Sequence, residues 1–344
     1  MDKKVDFLIK RWYTLVNDKL IYMDSDQQIK MLIKNFDINA IYARRVFNLL
    51  DKDKSLTEAQ SIINTKPKPF VKWVGGKRQL LKQFRSLVLY PPERFDPVIN
   101  RYFEPFVGGG AVFFDLLPDK AFLSDLNSEL ITTYNVIKNN VKELIKSLKK
   151  HKHTKEYFLK IRALDPKELS DIENASRFIF LNRTCFNGLY RVNSKGGFNV
   201  PFGQYKNPLI CDEQNLLRVS ESLKNVDVVF GDYKWILKKA KKGDFVYFDP
   251  PYYPINKTSS FIAYTKESFL DKEQIELRDT FLELHKRGCF VMLSNSNTPF
   301  INEIYSKKGI YITEIKANRA INSKSSGRGR ITEVLITNYK NEKQ

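Results

Sequence analysis

The sequence predicts an α/β protein with a parallel sheet, interrupted by an inserted domain. Short apolar runs recur along the chain, each followed by turn and helix signals, the pattern of alternating α/β units. The alternation stops from about Ile131 to Leu217, where the chain is helix-rich and basic and then turn-rich at Asn193-Ser-Lys-Gly-Gly197. Strand-like runs resume beyond that stretch, so one sheet domain is built from both flanks.

Residues 1–64 read as a helical extension, with Phe7, Leu8, Trp12, Leu15 and Val16 at three- and four-residue spacing. Asp24-Ser-Asp26 and Asp51-Lys-Asp53 interrupt it. Ile38 to Leu50 fits the second helix of a helix-turn-helix, although plain packing explains the same periodicity more simply. Lys66-Pro-Lys-Pro69 reads as a linker. Ile99 to Phe106 and Lys120 to Ser124 read as strands, with a helix-like Ala111 to Leu117 between them. The later strands are Val226 to Phe230, Asp244 to Phe248, Cys289 to Ser294, Tyr311 to Ile315 and Glu333 to Asn338. The expected division is therefore 1–64, a sheet domain of 65–130 with 218–344, and an insert of 131–217.

Among 344 residues, 58 Lys and Arg outweigh 39 Asp and Glu, a net charge of +19. Such an excess suits a polyanion such as nucleic acid, though it also serves solubility or a membrane surface. No run of about 18 apolar residues occurs, so a soluble, unexported, cytoplasmic protein is expected. Cys185, Cys211 and Cys289 are odd in number and lack CxxC spacing, which favours reduced buried thiols over disulfides or zinc. His151 and His153 lie in a lysine run and read as a solvated basic face; no metal is expected.

Two turns at strand ends carry the chemistry. Asp249-Pro250-Pro251-Tyr252 follows the apolar run Phe245-Val-Tyr-Phe248. Two prolines cannot extend a strand. They pin both φ angles and remove both donors, so the turn is rigid and the Pro250 carbonyl is set in direction. Carboxylate and carbonyl can accept both hydrogens of an exocyclic amine while the Tyr252 ring stacks on the heterocycle. A strand terminator with an exposed acid explains the tetrapeptide alone equally well. Upstream, Glu104-Pro-Phe-Val-Gly-Gly-Gly110 lets a ligand approach the backbone without meeting a Cβ. The next strand-like run leads to Asp125, an acid placed to accept from two ribose hydroxyls. NAD is disfavoured, because Gly108-Gly109-Gly110 leads into Ala111-Val-Phe113 without G-x-G-x-x-G spacing. A nucleoside without a pyrophosphate, such as S-adenosylmethionine, needs no phosphate cradle. Lys72-Trp73-Val-Gly-Gly-Lys77 offers a clamp for its amino-acid end, or is an ordinary turn. A Walker A reading fails for want of G-x-x-x-x-G-K-[ST].

In this order, Lys72-Trp-Val-Gly-Gly-Lys77, Glu104-Pro-Phe-Val-Gly-Gly-Gly110, Ser124-Asp-Leu-Asn127 and Asp249-Pro-Pro-Tyr252 resemble the Dam-type adenine-N6 DNA methyltransferases, from about Pro69 to Tyr339. The resemblance implies a Rossmann-like sheet that binds S-adenosylmethionine, with a target-recognition domain inserted between the glycine turn and the acid-proline turn. It implies cofactor contacts at Trp73, Lys77, Glu104, Phe106, Gly108, Gly110, Asp125, Asp232, Tyr233 and Asp249. Asp249, Pro250, Pro251 and Tyr252 would hold an adenine flipped out of duplex DNA. Its N6 lone pair is delocalised into the ring, and acceptors on both N–H groups would pull the nitrogen towards tetrahedral geometry for direct attack. Cytosine-C5 methylation is excluded, since no cysteine follows a proline, and zinc deamination lacks its H-x-E and P-C-x-x-C elements.

Asn182-Arg-Thr-Cys-Phe-Asn-Gly-Leu-Tyr-Arg191 with Gly197-Phe-Asn-Val-Pro-Phe-Gly203 resembles the recognition hairpin of the GATC-methylating members. By that likeness Arg191 and Lys72 meet guanines, Leu189 and Pro201 a thymine methyl, Phe186 the space left by the flipped base, Tyr205 supports phosphate or base contacts, and Asn187 is a further DNA-binding residue. A hairpin turning at Gly196-Gly197 needs no base contact, so a purely structural role stays open. The polar, cationic tail segment Asn318 to Arg330 suits a flap over phosphates or an idle loop. Expected partners are double-stranded DNA and, acting separately, a cognate restriction endonuclease; a monomer is expected, with no membrane contact. A silent DNA-binding protein on the same scaffold, or methylation of cytosine N4 or RNA adenine, remains an alternative.

Overall fold

The computed structural model describes residues 66–87, 89–193, 196–255, 269–318 and 330–341. The helices expected in residues 1–64, and most of the Asn318 to Arg330 segment, lie outside these. Pro67–Gln344 is one compact unit.

The described elements run in the order α1 (Arg78–Ser86), β1 (Tyr102–Glu104), α2 (Ala111–Leu116), β2 (Ala121–Asp125), α3 (Ser128–Leu148), α4 (Lys155–Ala163), α5 (Asp171–Thr184), α6 (Glu213–Ser222), β3 (Val226–Phe230), β4 (Phe245–Phe248), α7 (Asp271–Lys286), β5 (Phe290–Ser296), α8 (Pro299–Tyr305), β6 (Tyr311–Asn318) and β7 (Arg330–Thr337). Among the described residues the strands form one sheet in the order β3-β2-β1-β4-β5-β7-β6. The first five are parallel, and β7 lies antiparallel between β5 and β6.

Both faces of the sheet centre are covered, which is why these strands read as continuous apolar runs rather than alternating ones. All of β4 is buried. Phe103, Val246, Phe248, Val291 and Leu293 pack towards Leu277, Phe281 and Ile301 of α7 and α8. From the preceding residue of each strand, Phe245 meets Tyr102, and on the same side also Tyr90 and Phe95. The chain winds outward from β1 to β3 in one direction and from β4 to β5 in the other. The crevice beyond the carboxyl ends of β1 and β4 is the switch point, where such sheets bind ligands.

Helix signals in the central stretch are local and strong. Asn127 caps α3 by accepting from Leu130 N at 3.0 Å, and Ser170 with Glu173 forms a capping box on α5. A buried ion pair, Arg177 Nη1 to Glu129 Oε2 at 2.8 Å, ties α5 to α3, and Tyr190 OH donates to the other Glu129 oxygen at 2.8 Å.

Several expectations need correction. The strand expected from Ile99 begins only at Tyr102, because Asp96 accepts from Val98 N at 2.9 Å and folds the preceding residues into an exposed turn. Lys66-Pro-Lys-Pro69 is no free linker: Pro67 is buried and Asn215 grips both backbone groups of Lys68 at 2.9 Å. His151 is not a solvated base. It stacks on Phe180 at 4.4 Å, bonds Tyr157 OH and Ser176 Oγ, and burial pushes its pKa down to about 4. Cys185 and Cys289 are buried free thiols, whereas Cys211 is only half-buried. Among the described residues no helix is long and apolar enough to cross a membrane, and no cluster of His, Cys, Asp or Glu could hold a metal ion.

Candidate functional site

The acid-proline turn stands directly beyond β4, where Pro250 and Pro251 end the pairing. Lys77, buried to 4% exposure, brings its Nζ to 2.7 Å from Asp249 Oδ1 and donates also to Gly75 O at 2.6 Å. The ammonium lies 4.9 Å from the centroid of the Tyr252 ring. Burial raises the Asp249 pKa, and the Lys77 charge opposes that rise. Tyr252 is held by its hydroxyl, which donates to Glu333 Oε2 on β7 at 2.9 Å.

A buried polar frame supports the turn from behind. Gln274 Nε2 donates to Pro251 O at 3.0 Å, Asn295 Nδ2 donates to Gln274 Oε1 at 3.0 Å, and Asn295 Oδ1 accepts from Tyr253 N at 3.1 Å. Gln274 and Asn295 are both fully buried. The frame uses the Pro251 carbonyl, not the Pro250 carbonyl assigned to the amine. No motif signalled these two residues, since a polar side chain inside an amphipathic helix or an apolar strand has no signature of its own.

Beside this turn lies the glycine turn after β1. Gly108 adopts φ 46°, and a Cβ there would stand 2.6 Å from the Trp73 ring, so only glycine lets Trp73 lie against the turn. Asp125 accepts from Gly108 N and Asn127 N, each at 3.0 Å, which locks the turn to the end of β2. Burial raises the Asp125 pKa against those amides. Gly110 caps α2. Phe106 stacks on Tyr233 at 5.4 Å, and Asp232 accepts from Lys234 N at 2.8 Å to start the 3-10 turn that holds Tyr233. Gly231 N donates to Asp125 O at 3.2 Å, so the ends of β2 and β3 meet. The exposed apolar residues Leu126 and Phe230 flank that junction and could cover a flat ring. Apolar residues at strand ends look like core in a sequence, and so these two were not expected.

Glu104 is wholly inside. Its Oε2 accepts from Tyr102 OH at 2.8 Å and Phe113 N at 3.0 Å, and burial pushes its pKa from 4.5 up to about 8. A carboxyl raised in this way contributes stability that is fully present below about pH 4.5 and lost as pH rises through about 8. Glu104→Gln keeps the shape and removes the titration. Its melting temperature relative to the unmodified protein is expected to climb between about pH 5 and about pH 9, and parallel melting curves would contradict the assignment.

The DNA-reading candidates cluster around the segment 185–205. Arg191 stands exposed on a short hairpin in which Val192 pairs with Phe198, and its Nε donates to Asn199 Oδ1 at 2.7 Å. Phe186 is 48% exposed, Asn187 is exposed at φ 55°, and Pro201 is exposed. Leu189 is partly covered by the local core of Phe158, Phe180 and Val200. Lys72 is brought to this segment, with its ammonium 4.0 Å above the Tyr205 ring. Trp73 joins the two regions by stacking on Tyr190 at 5.9 Å.

A crevice able to hold a nucleoside beside a turn able to hold an amine is the working pair of an amino-group methyltransferase on a Rossmann-like sheet. Comparison with known families narrows that class. The chain belongs to the D12 class N6 adenine-specific DNA methyltransferases, whose family model matches residues 73–321. It is 47% identical over 302 residues to the type II methyltransferase M1.LlaDCHI of Lactococcus lactis subsp. cremoris, covering 86% of this chain and 100% of that one. It is also 47% identical over 290 residues to the type II methyltransferase M.MjaIII of Methanocaldococcus jannaschii, covering 79% and 99%. The DNA adenine methylase of Escherichia coli K12 is 32% identical over 274 residues, covering 78% and 95%. The protein is thus an adenine-specific DNA methyltransferase, which sets aside the silent-scaffold, cytosine and RNA alternatives.

Proposed function

We propose that the protein methylates N6 of an adenine flipped from duplex DNA within GATC, using S-adenosylmethionine. The observation that carries the reading is the Lys77–Asp249 pair, because it sets an ammonium 2.7 Å from the carboxylate of the turn where an amine must be held. The donor fits the residues present. Gly108 lets the Trp73 ring lie against the turn, Asp125 offers a carboxylate to ribose, and Leu126 with Phe230 offers apolar faces to adenine. Bound there, S-adenosylmethionine would supply an electrophilic methyl group.

The remaining work belongs to the chain. Asp249 and the Pro250 carbonyl accept the two N6 hydrogens and aim the nitrogen lone pair, and Tyr252 stacks on the base. Residues 131–217 act as the target-recognition domain, with Arg191 and, from outside it, Lys72 on guanine edges, Leu189 and Pro201 on a thymine methyl, Phe186 in the space left by the flipped base and Asn187 as a further DNA contact. The type II designation of two relatives supports a role beside a separate restriction endonuclease.

Labelled methyl transfer to duplexes with GATC, or with each single-base substitution, tests the reading. Transfer confined to a different sequence would remove GATC and leave the chemistry standing. Arg191→Ala is expected to cut the preference for the true site by roughly tenfold while non-specific DNA binding changes little. Equal loss on cognate and random DNA would argue against base contact by Arg191.

A further inference from the structure

Residues 68–77 pair with no strand of the sheet, yet they carry groups belonging to different tasks. Lys72 reaches the DNA-reading segment, Trp73 lies on the glycine turn, and Lys77 pairs with Asp249. Two buried asparagines stand in for a strand partner. Asn215 accepts from Lys68 N and donates to Lys68 O, each at 2.9 Å. Asn182, fully buried in the last turn of α5, does the same at Lys72, accepting from its N–H and donating to its carbonyl, each at 2.8 Å.

The two clamps differ in one respect. Asn182 Nδ2 has a second hydrogen and donates it to Gly188 O at 3.1 Å. Gly188 also lies against the side chain of the same lysine: at φ 64°, a Cβ on it would stand 2.3 Å from Lys72 Cδ. Lys72 is therefore met at its backbone by an amide and at its side chain by a glycine, both in the region of 182–191. Gly188 O and the Lys72 backbone thus share one amide, and Trp73 is the residue after Lys72. Among the described residues, Asn215 Nδ2 donates to Lys68 O and makes no such bridge.

We propose that Asn182 is a positioning residue for sequence discrimination. It makes the DNA-reading segment and the segment bearing Trp73 and Lys77 move as one body, so that a matched sequence under Arg191 and Lys72 is needed for productive geometry at Asp249. The inference rests on the base-contact reading above. Asn182→Asp keeps the shape but turns an oxygen towards the carbonyls of Lys72 and Gly188, replacing two donations with repulsion. Asn182→Ser keeps a small polar group and releases the bridge.

The experiment uses the full chain, labelled S-adenosylmethionine, the duplex that the unmodified protein methylates best, and its single-base variants. The readout is the ratio of kcat/KM between the two kinds of duplex. Asn182→Asp is expected to shrink that ratio by roughly tenfold, through loss on the true site with little change on altered sites. Asn215→Ser is expected to lower the melting temperature and leave the ratio alone. Losses on true and altered sites in equal proportion for the Asn182 variants, as a merely structural clamp gives, would overturn the proposal. Should Asn182→Asp not fold, Asn182→Ser decides by the same ratio. Arg191→Ala run in parallel separates the two ideas: an unchanged ratio in that variant sinks base contact by Arg191, whereas proportional loss in the Asn182 variants sinks the coupling.

Discussion

Asp249→Ala is expected to lower kcat for methyl transfer by roughly a thousandfold while DNA affinity changes by less than about threefold. In the proposed mechanism the carboxylate sits beside the amine only when the base is flipped and held, so its loss falls on the transition state more than on ground-state binding. Asp249→Asn should fall between, because its amide oxygen can still accept one N6 hydrogen but carries no charge. Gel-shift affinity and single-turnover rates on one duplex separate the two effects. Retention of more than about a tenth of the rate by Asp249→Ala would remove the residue from the amine clamp.

Lys77→Met has the second largest expected effect, and its signature is in the pH profile. Burial already raises the Asp249 pKa, and the ammonium 2.7 Å away is what holds the rise in check. Without Lys77 the pKa of Asp249 climbs further. The ionised carboxylate is the accepting form, so the acid limb of the kcat profile should move to higher pH, with the variant recovering towards the unmodified rate as pH increases. At neutral pH a loss of roughly a hundredfold is expected. The resemblance assigns Lys77 to the cofactor. If the acid limb stays in place and only the KM for S-adenosylmethionine rises, that assignment holds and the charge-partner role fails.

Much of the site was legible because its turns are made by residues with few alternatives. A buried parallel strand reads as an uninterrupted apolar run, as Phe245 to Phe248 does, and prolines or glycines must end it. Hence Asp249 and Gly108 could be placed at strand ends from local chemistry alone. Strand limits were less secure where a side chain competes with the sheet, as Asp96 does before β1. The histidine at 151 was misread because a run of lysines describes the neighbours in the chain, not the Phe180 ring that covers it.

The sequence by itself determined the α/β class, the order of the motifs along the chain and the rigid turn that offers an acid and a carbonyl. Those features depend on backbone limits of Pro and Gly and on apolar periodicity, which act within a few residues. Tertiary structure alone decided that β7 enters between β5 and β6, that Lys77 closes on Asp249, that Gln274 and Asn295 brace the turn, and that Asn182 bridges Lys72 to Gly188. Each of these joins residues far apart in the chain through a buried polar contact. Such a contact forms because a buried donor or charge must find a partner, and which partner it finds is set by packing rather than by spacing.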